Sequence, residues 1–153
     1  MGEPQNHSLP MADILQCFPI NAPASRVFGG ISSSKGLDQW WTKSSKAEPE
    51  AGGTYSLDFG PQYIWKAIVT KYSPDRELEW QLIEADADWL GTRIGFVLSE
   101  KGGRTDVEFY HTGWPEPSLH YRISTYCWAM YLRILKRWLE FGEQVPYEKR
   151  LSV

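Results

Sequence analysis

A chain of 153 residues with a net charge of −3 has the size of one domain, able to bury roughly two-thirds of its unfolded surface. Its interspersed charges form no basic stripe for phosphates, so no nucleic-acid partner is expected. The cysteines, Cys17 and Cys127, stand far apart without a C-x-x-C spacing, which argues against a disulfide scaffold or cysteine zinc site and for a reducing, cytoplasmic setting.

The opening MGEPQNHSLP is polar and contains proline, unlike a signal peptide or a membrane span. Residues 1–11 read as a flexible leader, with Met11 open as an alternative start, residues 12–145 as one domain and 146–153 as a C-terminal tail. In DILQCFPI (13–20), Ile14, Phe18 and Ile20 share one alternating face and Pro19 marks an edge, which predicts a first strand. Pro23 at a first helical position, after Asn21 as a cap, predicts a short helix over 24–31. Ser32 to Ser34 then cap a second short helix ending near Trp41.

From Gly53 onward the period becomes two. Tyr55, Leu57 and Phe59 share a face, then Trp65, Ala67 and Val69, then Leu78, Trp80 and Leu82, then Ile94, Phe96 and Leu98, then Val107, Phe109 and His111. Gly60-Pro61, Ser73-Pro74-Asp75, Gly91 and Lys101-Gly102-Gly103 supply the turns of an antiparallel meander. Residues 119–142 then hold no proline or glycine before Gly142, a natural helix stop. Trp128, Leu132, Leu135 and Leu139 recur at helical spacing. Ile123, Cys127, Met130, Ile134 and Trp138 form a second apolar row, which predicts a broad buried face.

Candidate chemistry is sparse. His111, at the inward end of a strand beside Gly113-Trp114-Pro115, can bond a ligand or move a proton, or it can simply tie its own loop to a neighbour. His7 lies in the leader and His120 opens the last helix as a surface or capping residue. Three scattered histidines without H-E-x-x-H spacing give no metal site. Glu84, Asp86 and Asp88 beside Trp89 read as a solvated hairpin tip that fails the EF-hand pattern. The serines lack a G-x-S-x-G elbow, and neither glycine pair opens a helix as a phosphate loop does, so no cofactor is expected. The aromatics say more: Trp65, Trp80, Phe96, His111 and Trp114 from the sheet side, with Tyr126, Met130 or Tyr131 from the helix, converge as an apolar pocket with few polar handles. The same rings can equally fill that space themselves. Trp40-Trp41 reads as a wedge between the helix pair and the sheet.

The ordered signposts Val27-Phe28, Trp40-Trp41, Gly52-Gly53, Pro74 with Leu78-Glu79-Trp80, His111-Thr112-Gly113-Trp114, and Trp128 with Leu132 and Leu135 carry a resemblance across roughly residues 12–142. The chain resembles the START and birch-pollen-allergen superfamily, in the branch named for activators of the heat-shock protein 90 ATPase. That resemblance implies an α+β helix-grip fold: a curved antiparallel sheet wrapped around a long C-terminal helix, with two short helices after strand one. It implies first a small hydrophobic or aromatic ligand held between sheet and helix, at Trp65, Trp80, Phe96, His111, Trp114, Tyr126 and Met130. It implies as alternatives a cyclase- or hydrolase-like enzyme using the same cavity, with His111 as acid or base and Tyr126 as helper, or an interaction domain that meets a chaperone or another protein partner. Trp65, large and inward, is expected to shrink the cavity. The length is expected to leave out the further N-terminal domain of the eukaryotic chaperone activators.

Overall fold

The computed structural model describes residues 12–153; the leader expected over 1–11, His7 included, lies outside the described residues. In chain order the elements are β1 (Ala12–Ile20), α1 (Ala24–Ser32), α2 (Ser34–Trp40), β2 (Ser44–Ala47), β3 (Thr54–Asp58), β4 (Ile64–Ser73), β5 (Glu77–Glu84), β6 (Arg93–Lys101), β7 (Arg104–Trp114) and α3 (Leu119–Phe141), with a 3-10 helix at Tyr147–Ser152. The strands form one 7-stranded antiparallel sheet in the order β1-β7-β6-β5-β4-β3-β2. The sheet curves around α3, an α+β helix-grip fold. No helix among the described residues is long and apolar enough to cross a membrane.

Alternation of side chains explains the layering. Tyr55, Leu57, Ala67, Val69, Leu78, Trp80, Leu82, Ile94, Phe96, Leu98, Val107, Phe109 and His111 are buried on the concave face, as period two requires. β1 lies at the sheet's edge beside β7, with Pro19 opposite Asp106, where a residue without an N–H costs least. Ser118 opens α3 by accepting from the Tyr121 N–H at 3.2 Å, and Gly142 closes it at φ 68°, the left-handed cap that glycine adopts freely.

Two expectations need correction, the cap of α1 and the second row of α3, and two features were not legible in the sequence, β2 and the docking of residues 146–153. Asn21 does not cap α1 with its side chain. Instead Glu100 Oε1 accepts from the Ala24 N–H at 2.7 Å, a carboxylate brought from β6 to the helix end. β2 was not evident in the sequence, because its Ser44-Ser45-Lys46-Ala47 has no apolar face and is fixed by pairing with β3 and by bonds from Ser45 to α2. The tail at 146–153 is docked: Arg150, 4% exposed, donates to the carbonyls of Asp38 (2.7 Å), Thr42 (3.1 Å) and Val145 (3.1 Å). The second apolar row of α3 is only partly buried, since Met130 and Ile134 face the core while Ile123 is exposed.

On the convex face Glu79 is nonetheless buried. Tyr110 reaches it across β6 and donates to Oε2, while Thr70 Oγ1 donates to Oε1 at 2.7 Å. The crossing depends on Gly95, where an added Cβ would lie 2.2 Å from Tyr110 Cζ. Burial alone would raise the Glu79 pKa, but the bonds from Tyr110, Thr70 and Arg93 and the charge of Lys71 outweigh it and hold the carboxyl low.

Leu135 is wholly buried under the sheet among Trp128, Leu132 and Leu139. Leu135→Ala is expected to lower stability by about 2 to 5 kcal/mol, read from denaturant midpoints; an unchanged midpoint would mean that α3 packs in another phase.

Candidate functional site

The space between sheet and helix is occupied by a continuous set of rings. Trp80 and Phe96 stand with centroids 6.1 Å apart, and Phe96 meets Phe109 at 5.2 Å. Phe109 lies 4.6 Å from Trp128 of α3, and Trp128 lies 5.1 Å from Trp41. Near the far end of β7, Trp89 contacts Trp65 at 4.7 Å, His111 at 4.6 Å and Trp114 at 5.9 Å. Edge-to-face and tilted pairs at such separations add about 0.5–1.5 kcal/mol each beyond area burial.

His111 is fully buried at the centre of this cluster. Trp128 Nε1–H donates to its Nδ1 at 3.0 Å, and its Nε2 lies 2.8 Å from Thr92 Oγ1. Thr92 Oγ1 spends its proton on the Trp89 carbonyl at 2.6 Å, so it accepts from His111. The imidazole is therefore the neutral Nε2–H tautomer, with both nitrogens satisfied. Burial, reinforced by the nearby His120, depresses its pKa to about 3.

Trp89 was not among the expected site residues. It comes from the connection between β5 and β6, where the acidic tract hides any periodicity, and its turn closes through Trp89 N–H to the Asp86 carbonyl at 2.9 Å. Asp88 ties this connection to the start of α3, accepting from Ser118 Oγ at 3.3 Å and facing His120 Nδ1 at 3.4 Å. Trp89 also stacks on His120 at 6.1 Å.

Of the expected residues, the structure brings together Trp80, Phe96, His111 and Trp114, which are buried, with Met130 in the same core and Trp65 half-buried against it. Tyr126 is excluded: it is 75% exposed on the outer side of α3, because its position falls off the stripe of Trp128, Leu132 and Leu135. Trp41, Thr92, Phe109 and Trp128 complete the cluster. Trp40, expected as a wedge, donates its Nε1–H to the Gly30 carbonyl at 2.9 Å. The surface grooves are lined by other residues. Among the described residues no three His, Cys, Asp or Glu side chains converge as a cation would require.

One set of polar atoms stands out. Among the described residues the indole N–H groups of Trp80, Trp89 and Trp114 are buried without an acceptor, Trp80 lying near the Tyr55 hydroxyl but outside hydrogen-bonding geometry. Each unmet buried donor costs about 1–3 kcal/mol.

Comparison with known proteins places this geometry. The sequence pattern of the family described as Activator of Hsp90 ATPase homolog 1-like protein matches residues 21–140. The Aha1 protein of Colwellia psychrerythraea, solved in solution as a dimer, is 28% identical with a TM-score of 0.79, over 87% of this chain and 99% of that one. CalU16 from Micromonospora echinospora is 19% identical with a TM-score of 0.71, over 95% of this chain and 86% of that one. DynU16, from the dynemicin biosynthetic locus, is 18% identical with a TM-score of 0.74, over 90% of this chain and 51% of that one. The last two share the fold alone. No curated protein matches the chain.

The buried imidazole titrates well below an unfolded histidine at about 6.5. The folded state thus binds fewer protons, and His111 contributes its full share of stability above that pH. The share falls as pH drops toward about 3, at up to about 1.4 kcal/mol per pH unit. Nitrogen NMR of the ring is expected to show the neutral Nε2–H form unchanged at pH 5; an imidazolium signal there would refute the assignment.

Proposed function

Because this chain belongs to the Activator of Hsp90 ATPase homolog 1-like family, we propose that its concave sheet and α3 hold a small hydrophobic or aromatic molecule. The site comprises Trp65, Trp80, Phe96, Trp114 and Met130 around His111, with Trp89 as the ring that the ligand replaces. The observation that carries this reading is the trio of unmet indole donors at Trp80, Trp89 and Trp114. An apolar molecule bearing a carbonyl, hydroxyl or ether oxygen suits the donors of Trp80 and Trp114 while keeping the rings covered, and the departing Trp89 carries its own N–H to water. Trp89 belongs to a turn rather than to the sheet ladder, so it can leave without breaking strand pairing, and the space it vacates suits a fused bicyclic ring. His111 orients the site by holding Trp128 and Thr92. With both nitrogens engaged and its charge suppressed by burial, it is poorly placed as the acid or base that a cyclase- or hydrolase-like reading needs. Free Cys17 and Cys127 accord with a cytoplasmic setting.

The test combines native mass spectrometry of the purified protein with titration of 2-naphthol, followed by tryptophan fluorescence. A retained small molecule, or saturable naphthol binding that tightens in Trp89→Ala, supports the reading. An empty protein that leaves naphthol unbound in both forms overturns it. Trp89→Ala is also expected to cost less than the roughly 3–5 kcal/mol typical of a core tryptophan, because it removes an unmet donor along with the ring.

The filled interior and the exposed Leu119, Ile123 and Tyr126 of α3 favour a second reading, a domain that acts on a chaperone through its surface. Stimulation of ATP hydrolysis by Hsp90 on adding the purified protein would support it, and an unchanged rate with no co-sedimentation would overturn it.

A further inference from the structure

Among the described residues the outer edge of β1 is guarded only at its ends, and β1 pairs with β7 alone. At one end Tyr121 OH donates to the Asp13 carbonyl at 2.7 Å, and at the other Lys136 Nζ donates to the Pro19 carbonyl at 2.6 Å. Since the Pro19 carbonyl turns away from β7, the alternation of an antiparallel ladder turns the N–H and C=O groups of Cys17 and Leu15 the same way. Among the described residues these main-chain groups are unpaired, and Cys17 lines a groove of about 270 Å³ between β1 and α3.

The helix side of this groove has a definite chemistry. Arg122, Tyr126, Ala129 and Arg133 fall within one narrow stripe at helical spacing, and Ala129 and Arg133 line the groove itself. Tyr126 is 75% and Leu15 71% exposed. Arg122 and Arg133 are exposed and enter no ion pair among the described residues. The one acid of α3, Glu140, is spent on Lys136 at 2.7 Å and on the Asn21 N–H. The acids at this edge are Asp13 on β1 itself, whose Oδ1 accepts from the Gly113 N–H at 3.1 Å, and Asp106 and Glu108 on β7 opposite Pro19 and Cys17, toward the convex face.

We propose that the edge of β1 and the facing stripe of α3 receive an extended acidic segment of a partner protein as an added strand. Main-chain bonds to Leu15 and Cys17 supply its attachment. Carboxylates at its two ends meet Arg122 and Arg133, which are about 17 Å apart along the helix, the reach of about five extended residues. Side chains of the other parity lie toward Leu15, Cys17 and the acids of β7, so they are apolar rather than charged. This surface is separate from the ring cluster, and its failure would leave the ligand reading intact.

The probe is the pentapeptide acetyl-EVTVE-amide, titrated into nitrogen-labelled protein beside its lysine counterpart, acetyl-KVTVK-amide. Saturable shifts of the Leu15 and Cys17 amides with the acidic peptide alone are expected, weakened by added salt. The double variant R122E/R133E is expected to weaken the acidic peptide by about tenfold, as two exposed ion pairs allow, and to turn the preference toward the lysine peptide. Methylating the edge-facing amides of the peptide is expected to abolish binding. Equal binding of both peptides, indifference to methylation, or no binding by either overturns the proposal. So does a dimer in sedimentation whose formation protects the Leu15 and Cys17 amides from exchange, which would give the edge to a second copy of this chain.

Discussion

The neutral imidazole of His111 is the joint on which sheet, helix and loop converge. Its Nδ1 takes the indole proton of Trp128 from α3, and its Nε2–H goes to Thr92, whose hydroxyl in turn holds the Trp89 carbonyl. Each donor in this chain has one acceptor, so the cost of burying four polar groups is met without a charge. An apolar residue at 111 would strand the Trp128 N–H, and a charged one would meet no counter-ion in the cluster.

That joint also explains how much the sequence disclosed. Period two from Tyr55 to His111 and the 3.6-residue stripe of Trp128, Leu132, Leu135 and Leu139 both arise from burial against one opposing layer, and both appear as buried faces. Burial imposed from outside an element's own pattern was illegible. Trp89 sits in an acidic connection and is drawn inward by partners on β7 and α3. Arg150 is buried because carbonyls at Asp38 and Thr42 accept from it, a demand that arises a hundred residues earlier in the chain. Tyr126 shows the converse, an aromatic residue in an apolar segment that the helix phase turns to solvent.

The unmet indole donors and the filled interior are two consequences of one composition. Tryptophan gives a core more contact area than any other side chain, yet brings an N–H that only geometry can satisfy. Trp40 and Trp128 found acceptors in Gly30 and His111. Among the described residues Trp80, Trp89 and Trp114 found none, because aromatic neighbours offer faces and edges but few lone pairs.

The two edges of the sheet differ in a way that bears on partners. β2 is only four residues long and polar, and α2 shields it: Ser45 Oγ donates to Asp38 Oδ1 at 2.9 Å and lies 3.3 Å from the Ser34 carbonyl. A short, polar, covered strand cannot template another. β1 has nine residues, and its protection among the described residues is confined to Tyr121 at one end and Lys136 at the other. Guards at the ends of an edge stop a sheet from growing indefinitely, because a long strand cannot lie flat past them, but they leave room for a short segment between. α3 thus presents two different surfaces along one length, an apolar stripe that closes the core and a cationic, aromatic stripe beside the open strand. One helix therefore serves the interior and the edge at once, through residues that do not overlap.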